Sequence, residues 1–285
     1  MSMENKRKLN VGLRYALLGI VSFFMLYPLL WMVGGIWKSN SEIFTSAAFW
    51  PQDPMDGLEA IRQGWTTNTP YSIGYYFLNT LSFLIPRVVA TVVSCVLTAY
   101  VVSRFSFKGK KIVFMLIITT LLMPDVVFRI PMYLIWRDLN LLNTFFPLWL
   151  DNAFATNSFF IFLLIQFMRT IPRELDEAAK MDGCNSLQTL IFILVPVMIP
   201  PIITVALLTF MWGMNDFLGP LIYITDIAKY PLSIALRMAM DTTDSAVEWR
   251  NIFAMSVISI IPSLVLFFSA QKYFIEGIST TGSKE

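Results

Sequence analysis

Long apolar runs separated by short polar segments dominate the chain, and most of the runs reach the roughly 20 residues that a helix needs to cross a bilayer. The first predicted span covers residues 15–37, behind a polar start holding Lys6, Arg7, Lys8 and Arg14. A signal peptide also starts basic, but its apolar core is about 7–15 residues and ends in small residues. This run is longer, contains Pro28 and stops at Trp37-Lys38, so it reads as a retained helix. Residues 39–70, rich in Pro, Asp, Asn, Gly and Thr, read as an external loop, with Trp50 and Trp65 as interfacial anchors. Further spans are predicted over 71–103, 112–136 (broken by Pro124 and Pro131), 147–168, 189–214 and 249–274. Asp151, Asn152 and Asn157 fall near the outer end of the fourth. Between spans lie a basic turn over 104–111, an outer turn over 137–146 with Asn140 and Asn143, and a second external region over 215–248. That region holds helical spacing near 232–240, and a short tail follows from 275. The expected fold is all-α: a polytopic membrane protein with six transmembrane helices. Residues 1–70 carry the first helix and external loop, 71–275 the transmembrane core, and 276–285 a tail.

Composition narrows the chemistry. Hydrophobic residues make up 56% and charged residues 14%, against about 25% charged in soluble domains. A net charge of +2 gives no reason to expect nucleic acid. Histidine is absent, which excludes His-based triads and His metal sites. Cys95 and Cys184 fall in a span and on the expected inner side, so no disulfide is expected. Six spans put both termini on one side. The segments on that side hold 13 of the 21 Lys and Arg: four before the first span, four over 104–111, Arg169, Arg173 and Lys180, then Lys272 and Lys284. This bias makes the termini cytoplasmic.

One inner segment, 169–188, is too charged to be a mere connection. Pro172 suits a first helical turn, and Glu174, Asp176 and Glu177 suit a helix N-terminus. Ala178 and Ala179 are small helix formers, Gly183 permits a sharp corner, and Asn185 or Ser186 can cap a second helix running toward Pro196. Two short helices joined at Gly183 would form a rigid docking knob; a solvated amphipathic loop fits the same residues.

The pattern Glu177-Ala178-Ala179, Gly183, then Ile193-x-Val195-Pro196 resembles the EAA motif of membrane subunits of binding-protein-dependent ABC importers, which usually have Leu in place of Val195. More of the chain, about 74–284, resembles the carbohydrate-uptake permeases of the second maltose-permease type. The matching features are Asn79-Thr80, Ala99-Tyr100-x-x-x-Arg104-Phe105-x-Phe107-x-Gly109-Lys110, Leu142-Asn143-Thr144, Asp182-Gly183, Asn215-Asp216-Phe217-x-x-Pro220-Leu221 and the ending Gln271-Lys272-Tyr273-Phe274-Ile275-Glu276-Gly277. Met214 stands where the family often has Trp, and the residues 281–285 depart from its usual tail.

The resemblance implies a permease subunit in a bacterial plasma membrane that performs no covalent chemistry. Residues 169–188 would be its coupling loop, with Glu177, Ala178, Ala179, Asp182 and Gly183 facing a cytoplasmic ATPase. The implied partners are a homologous second permease, two ATPase subunits, an extracytoplasmic sugar-binding protein, an oligosaccharide and membrane lipid. The chain has no Gly-x-x-x-x-Gly-Lys-Ser/Thr loop, so ATP and Mg belong to the partner ATPases. The rivals are an ABC permease for a non-sugar solute and an ATP-independent secondary transporter, although no convincing internal repeat supports the latter.

Charges inside spans are functional candidates by default. Asp125 and Arg129 stand i,i+4 on the third span, either paired on one helix face or with Arg129 facing the translocation path. The family more often has uncharged residues there, which leaves an acidic oligosaccharide open. Arg87 fits packing or pairing with a partner subunit. Asn215 and Asp216 fit helix termination or the lining of an external gate.

Overall fold

The computed structural model describes residues 3–66, 70–240 and 248–282. Residues 241–247 of the second external region and 283–285 of the tail, Lys284 among them, lie outside the described residues. In chain order the α-helices are α1 (Met3–Gly35), α2 (Asn40–Thr45), α3 (Gly57–Thr66), α4 (Ile73–Arg104), α5 (Lys110–Leu122), α6 (Val126–Asp138), α7 (Ser158–Thr170), α8 (Glu174–Met181), α9 (Ser186–Gln188), α10 (Val195–Val197), α11 (Ile199–Met214), α12 (Leu218–Tyr223), α13 (Leu232–Met240) and α14 (Trp249–Gly282). A π-helical turn, Thr189–Leu194, joins α9 to α10. Short 3-10 turns occupy Phe146–Leu148, Leu150–Phe154 and Ile227–Lys229. All regular structure among the described residues is helical.

Three helices are long and apolar enough to cross a membrane, at Val11–Gly35, Ile73–Arg104 and Trp249–Lys272, and two bent pairs bring the number to five if each pair is one span. The breaks have a local cause. Met123 precedes Pro124 and takes an extended conformation (φ −82°, ψ 136°), because the proline ring crowds the helical region of the residue before it. The expected third span is therefore α5 and α6, bent by 105°. Pro131, expected to be a second break, sits inside α6. The expected fifth span also breaks, by 81°, at Met198 just ahead of Pro200 and Pro201.

The fourth predicted span needs the largest correction. Its helical part is α7 alone, 13 residues or about 20 Å. Residues 146–154 instead form the 3-10 turns, whose Asn152 is buried against α4. Ser94 Oγ donates to Asn152 O at 2.6 Å, and Thr91 Oγ1 to Asn152 Oδ1 at 3.3 Å. Smaller corrections concern the ends. Residues 39–70 contain α2 and α3, and the helix predicted to stop near 274 continues to Gly282.

The chain divides into two compact units. One combines the residues up to Gly74 with Ala235–Ile260. There Trp31 meets Phe253 edge-on at 5.5 Å, and Trp37 stacks on Trp50 at 6.0 Å. Lys38, where the first apolar run stops, is buried, with its ammonium bonded to Ala48 O and 5.4 Å from the Trp31 ring.

The other unit holds Tyr75–Ile234 and the residues from Ile261. Two apolar clusters lie along α4. Phe83 and Leu84 pack with Trp136, Leu148, Met214 and Tyr223. Further along, Cys95, Ala99 and Tyr100 pack with Phe160, Leu164, Leu190, Leu194 and Met198. Several residues quoted for the family resemblance are tethers here. Asn79 Nδ2 donates to the carbonyls of Ala228 and Tyr230, and Thr80 Oγ1 accepts Leu232 N–H. Asn143, left-handed at φ 59°, accepts Thr225 and Asp226 N–H on its side chain and Lys229 Nζ on its carbonyl.

Candidate functional site

The charged segment folds as two short helices around a glycine corner. α8 opens on Arg173, whose carbonyl accepts Asp176 and Glu177 N–H, so Pro172 stands just ahead of the helix. It closes in a Schellman arrangement: Cys184 N–H donates to Ala179 O at 2.9 Å and Gly183 N–H to Lys180 O at 3.1 Å. Gly183 sits at φ +82°, the left-handed conformation that this closure requires and that only glycine adopts without strain. Of the two candidate caps for the next helix, Asn185 is the one used. Its side chain accepts Gln188 N–H at 2.9 Å, while Gln188 Oε1 accepts Asn185 N–H at 2.8 Å, a capping box.

This corner is fastened to the end of α4. Tyr100 Oη donates to Ser186 O at 2.9 Å, and Arg104 Nη2 to Ile171 O at 3.1 Å. Arg104 Nε also lies 3.3 Å from Asp176 Oδ2, with both side chains largely buried. Those two atoms are close without being aligned for a hydrogen bond, so the attraction between them is Coulombic. Lys110 Nζ donates to the carbonyls of Ser103 and Phe105, closing the α4 end beside the loop.

With Ala179 buried and Asp176 half-buried, α8 leaves Glu174, Glu177, Ala178 and Met181 open. These positions are i, i+3, i+4 and i+7, one helix face. Met181 is 88% exposed, and Leu175 and Leu187 are exposed close by. An apolar tip flanked by carboxylates fits a protein partner better than water. Asp182 and Gly183 are exposed at the corner, whereas Ala179 packs inward, so Ala178 alone of the two alanines faces out.

The residues expected on the substrate path divide. Asp216 forms an ion pair with Arg87 at 2.9 Å and accepts Gly219 N–H at 3.1 Å. Arg87 thus has its partner within the chain, 129 positions away. Arg129 pairs with Asp125 at 3.1 Å across one helical turn, and Asp125 is 82% exposed. A Cβ at Gly219 would lie 3.0 Å from Asp216 Oδ2 and 3.2 Å from Arg129 Nη1, so both charges flank one stretch of bare backbone. Burial raises the Tyr223 phenol pKa, Arg129 lowers it, and Asp151, Asp125 and Asp216 raise it further. Tyr133 stacks on Tyr223 at 6.5 Å. Asn215 stands apart: its amide donates back to Met211 O at 2.8 Å, which caps α11.

Among the described residues no three Cys, Asp or Glu gather closely enough to hold a metal ion. Sequence reasoning gave Tyr100 no role, Arg104 only a place among the inner cations and Asp176 only a place in a first helical turn, although Tyr100 and Arg104 stand in the pattern quoted for the resemblance.

Comparison with known proteins agrees with this architecture. The chain aligns over 267 residues with the "Probable ABC transporter permease protein YurM" of Bacillus subtilis (strain 168), 32% identical, covering 90% of this chain and 83% of that one. It is 25% identical over 267 residues to the "Trehalose/maltose transport system permease protein MalG" of Thermococcus litoralis, covering 93% and 94% of the two chains. A chain from the "Crystal structure of a bacterial ABC transporter involved in the import of the acidic polysaccharide alginate" superposes with a TM-score of 0.81 at 24% identity, over 96% of this chain and 99% of that one, and so shares the fold. Residues 91–280 match the family described as "Binding-protein-dependent transport system inner membrane component", and the chain belongs to that family of ABC transporter permeases.

Proposed function

We propose that this chain is one of two permease subunits of an ATP-driven importer for sugars or oligosaccharides, and that it couples to a cytoplasmic ATPase through α8. The observation that carries this reading is the corner at Gly183: a rigid short helix, tied to α4 by Arg104 and Tyr100, with Glu174, Glu177, Ala178 and Met181 on its open face. A knob locked by a Schellman closure on one side and a capping box on the other transmits force; a solvated loop does not.

The rest of the assembly follows from this. Three long helices, two bent pairs and the shorter α7 supply six crossings, with both termini cytoplasmic. Residues 71–275 form the core, and 169–188 form the coupling loop. A second permease completes the pathway, an extracytoplasmic binding protein delivers the cargo, and two partner ATPases bind ATP and Mg. The trehalose/maltose permease among the relatives supports a sugar as cargo. Asp125, Arg129 and Asp216 face that cargo from the outer half, where Arg129 meets hydroxyls or a carboxylate, while Asn215 ends α11.

The decisive experiment is affinity purification of the importer from its native membrane through this full-length subunit. An ATPase is expected to accompany the wild type and to be lost on combining Glu177→Lys with Gly183→Pro. Absence of an ATPase from the wild type, or its retention by the double variant, refutes the coupling role. Uptake of sugar panels in reconstituted vesicles separates the sugar reading from a non-sugar cargo.

A further inference from the structure

The inner ends of α5 and α7 bring cations together with no counter-charge among the described residues. Arg169, in the last turn of α7, lies with its guanidinium carbon 4.7 Å from the Phe114 ring of α5. Stacking occupies the guanidinium face and leaves its donors, which lie in the plane, available. Lys110, the first residue of α5, precedes Phe114 by one turn of the same helix. Its ammonium donates to Ser103 O at 3.4 Å, and the next residue, Arg104, donates to Ile171 O, midway in sequence between Arg169 and Arg173, so the three cations meet at the end of α4. Among the described residues no carboxylate lies within ion-pair distance of Lys110, Arg169 or Arg173, and neither arginine side chain makes a hydrogen bond. Asp176, the nearby acid, is engaged by Arg104. Three like charges gathered without compensation are unfavourable unless an anion joins them.

The surroundings identify the anion. Along α5, directly after the cations, Ile112, Met115 and Leu116 are 62%, 64% and 59% exposed. A ligand that suits both parts carries an anionic head and a hydrocarbon tail. We propose that Lys110, Arg169 and Arg173 form a binding site for the phosphate headgroup of an anionic phospholipid of the inner leaflet, with an acyl chain lying along Ile112, Met115 and Leu116. Arg173 opens α8 and its carbonyl accepts the first helical N–H groups. A lipid held here therefore touches the coupling helix at its root. The site shares the cytoplasmic orientation of the functional proposal but is independent of the cargo.

The test uses the importer purified through the full-length chain, delipidated in detergent and titrated with dioleoyl-phosphatidylglycerol, dioleoyl-phosphatidylcholine or inorganic phosphate. Bound lipid is counted by native mass spectrometry. Each of Lys110→Gln, Arg169→Gln and Arg173→Gln is expected to weaken phosphatidylglycerol binding about five-fold, and the triple variant about 150-fold. Phosphatidylcholine binding stays unchanged and Arg169→Lys retains most of the affinity. Equal phosphatidylglycerol binding by wild type and variants overturns the proposal; should the triple variant fail to fold, Arg169→Gln alone decides. Displacement of the lipid by inorganic phosphate at equal concentration would point to a free-anion site instead and also overturns it. Loss of the ATPase with lipid binding intact assigns the cations to a protein partner, a failure distinct from absence of an ATPase in the wild type.

Discussion

Replacing Arg104 by methionine isolates the tie between α4 and α8, because it keeps the unbranched apolar stem and removes the guanidinium. Arg104 Nε and Asp176 Oδ2 stand 3.3 Å apart, with the two side chains 8% and 16% exposed. At an effective dielectric of about 20 the attraction is about 5 kcal/mol. Withdrawing both groups from water offsets much of it, and the pair lacks hydrogen-bond alignment, which leaves about 2 kcal/mol net. Loss of the bond from Arg104 Nη2 to Ile171 O adds about 1 kcal/mol. A total of about 3 kcal/mol corresponds to an increase of about 150-fold in the opening equilibrium of α8. Hydrogen exchange at the Asp182, Gly183 and Cys184 amides reads it directly, since their bonds to Ala178, Lys180 and Ala179 close the helix. Adding Asp176→Leu removes the stranded carboxylate and should recover much of the protection. Unchanged exchange in Arg104→Met, or effects of the two substitutions that simply add, would refute the reasoning.

Gly183→Ala meets nothing within 4 Å of the new Cβ, so its cost is the left-handed backbone alone, about 1–2 kcal/mol; Gly183→Asn should cost less, and the same amide exchange ranks them. Asn185→Ala removes the cap on α9 and should cost about 1 kcal/mol, seen as faster exchange of the Gln188 amide. Arg87→Gln leaves Asp216 with Gly219 N–H but without its guanidinium, lowering thermal stability in detergent, and Asp216→Asn in the same background should restore part of it. Asn143→Ala releases the Thr225 and Asp226 amides and should make residues 225–229 more accessible to protease, with α8 exchange unaffected.

What was legible in the sequence is what depends on local chemistry. Gly183 and Asn185 could be placed because a left-handed corner and an N-cap are properties of one residue and its immediate neighbours. Pro124 announced a break for the same reason, although nothing local sets a bend of 105°. The fourth span was misjudged because residues 147–157 are apolar enough to pass for membrane, while the interaction that shapes them joins Asn152 to Ser94, 58 positions earlier. Arg87 was legible as a costly charge, but its partner is far along the chain, and a single sequence carries no local trace of such pairings. The quoted pattern Ala99-Tyr100-x-x-x-Arg104 named residues whose role became physical only when Ser186 and Asp176 were found beside them.

These long-range pairings converge on one element. α4 is 32 residues long, and ties from both candidate sites run to it. Arg87 holds Asp216 toward one end, while Tyr100 and Arg104 hold the two helices that meet at the Gly183 corner. Arg87 and Arg104 lie about 25 Å apart at 1.5 Å per residue, on a single helix. Between them Thr91 and Ser94 clasp Asn152, and Cys95 and Ala99 are buried in the apolar cluster with Leu164 and Leu194. A helix gripped this way between Arg87 and Arg104 has little freedom to bend, so under the proposed coupling a displacement at the α8 corner would reach Asp216 as movement of α4. Propagation through the bent α11 would first have to pass the π turn and the 81° break at Met198. Under the proposed coupling, the continuous helix transmits and the broken one is the hinge about which it moves.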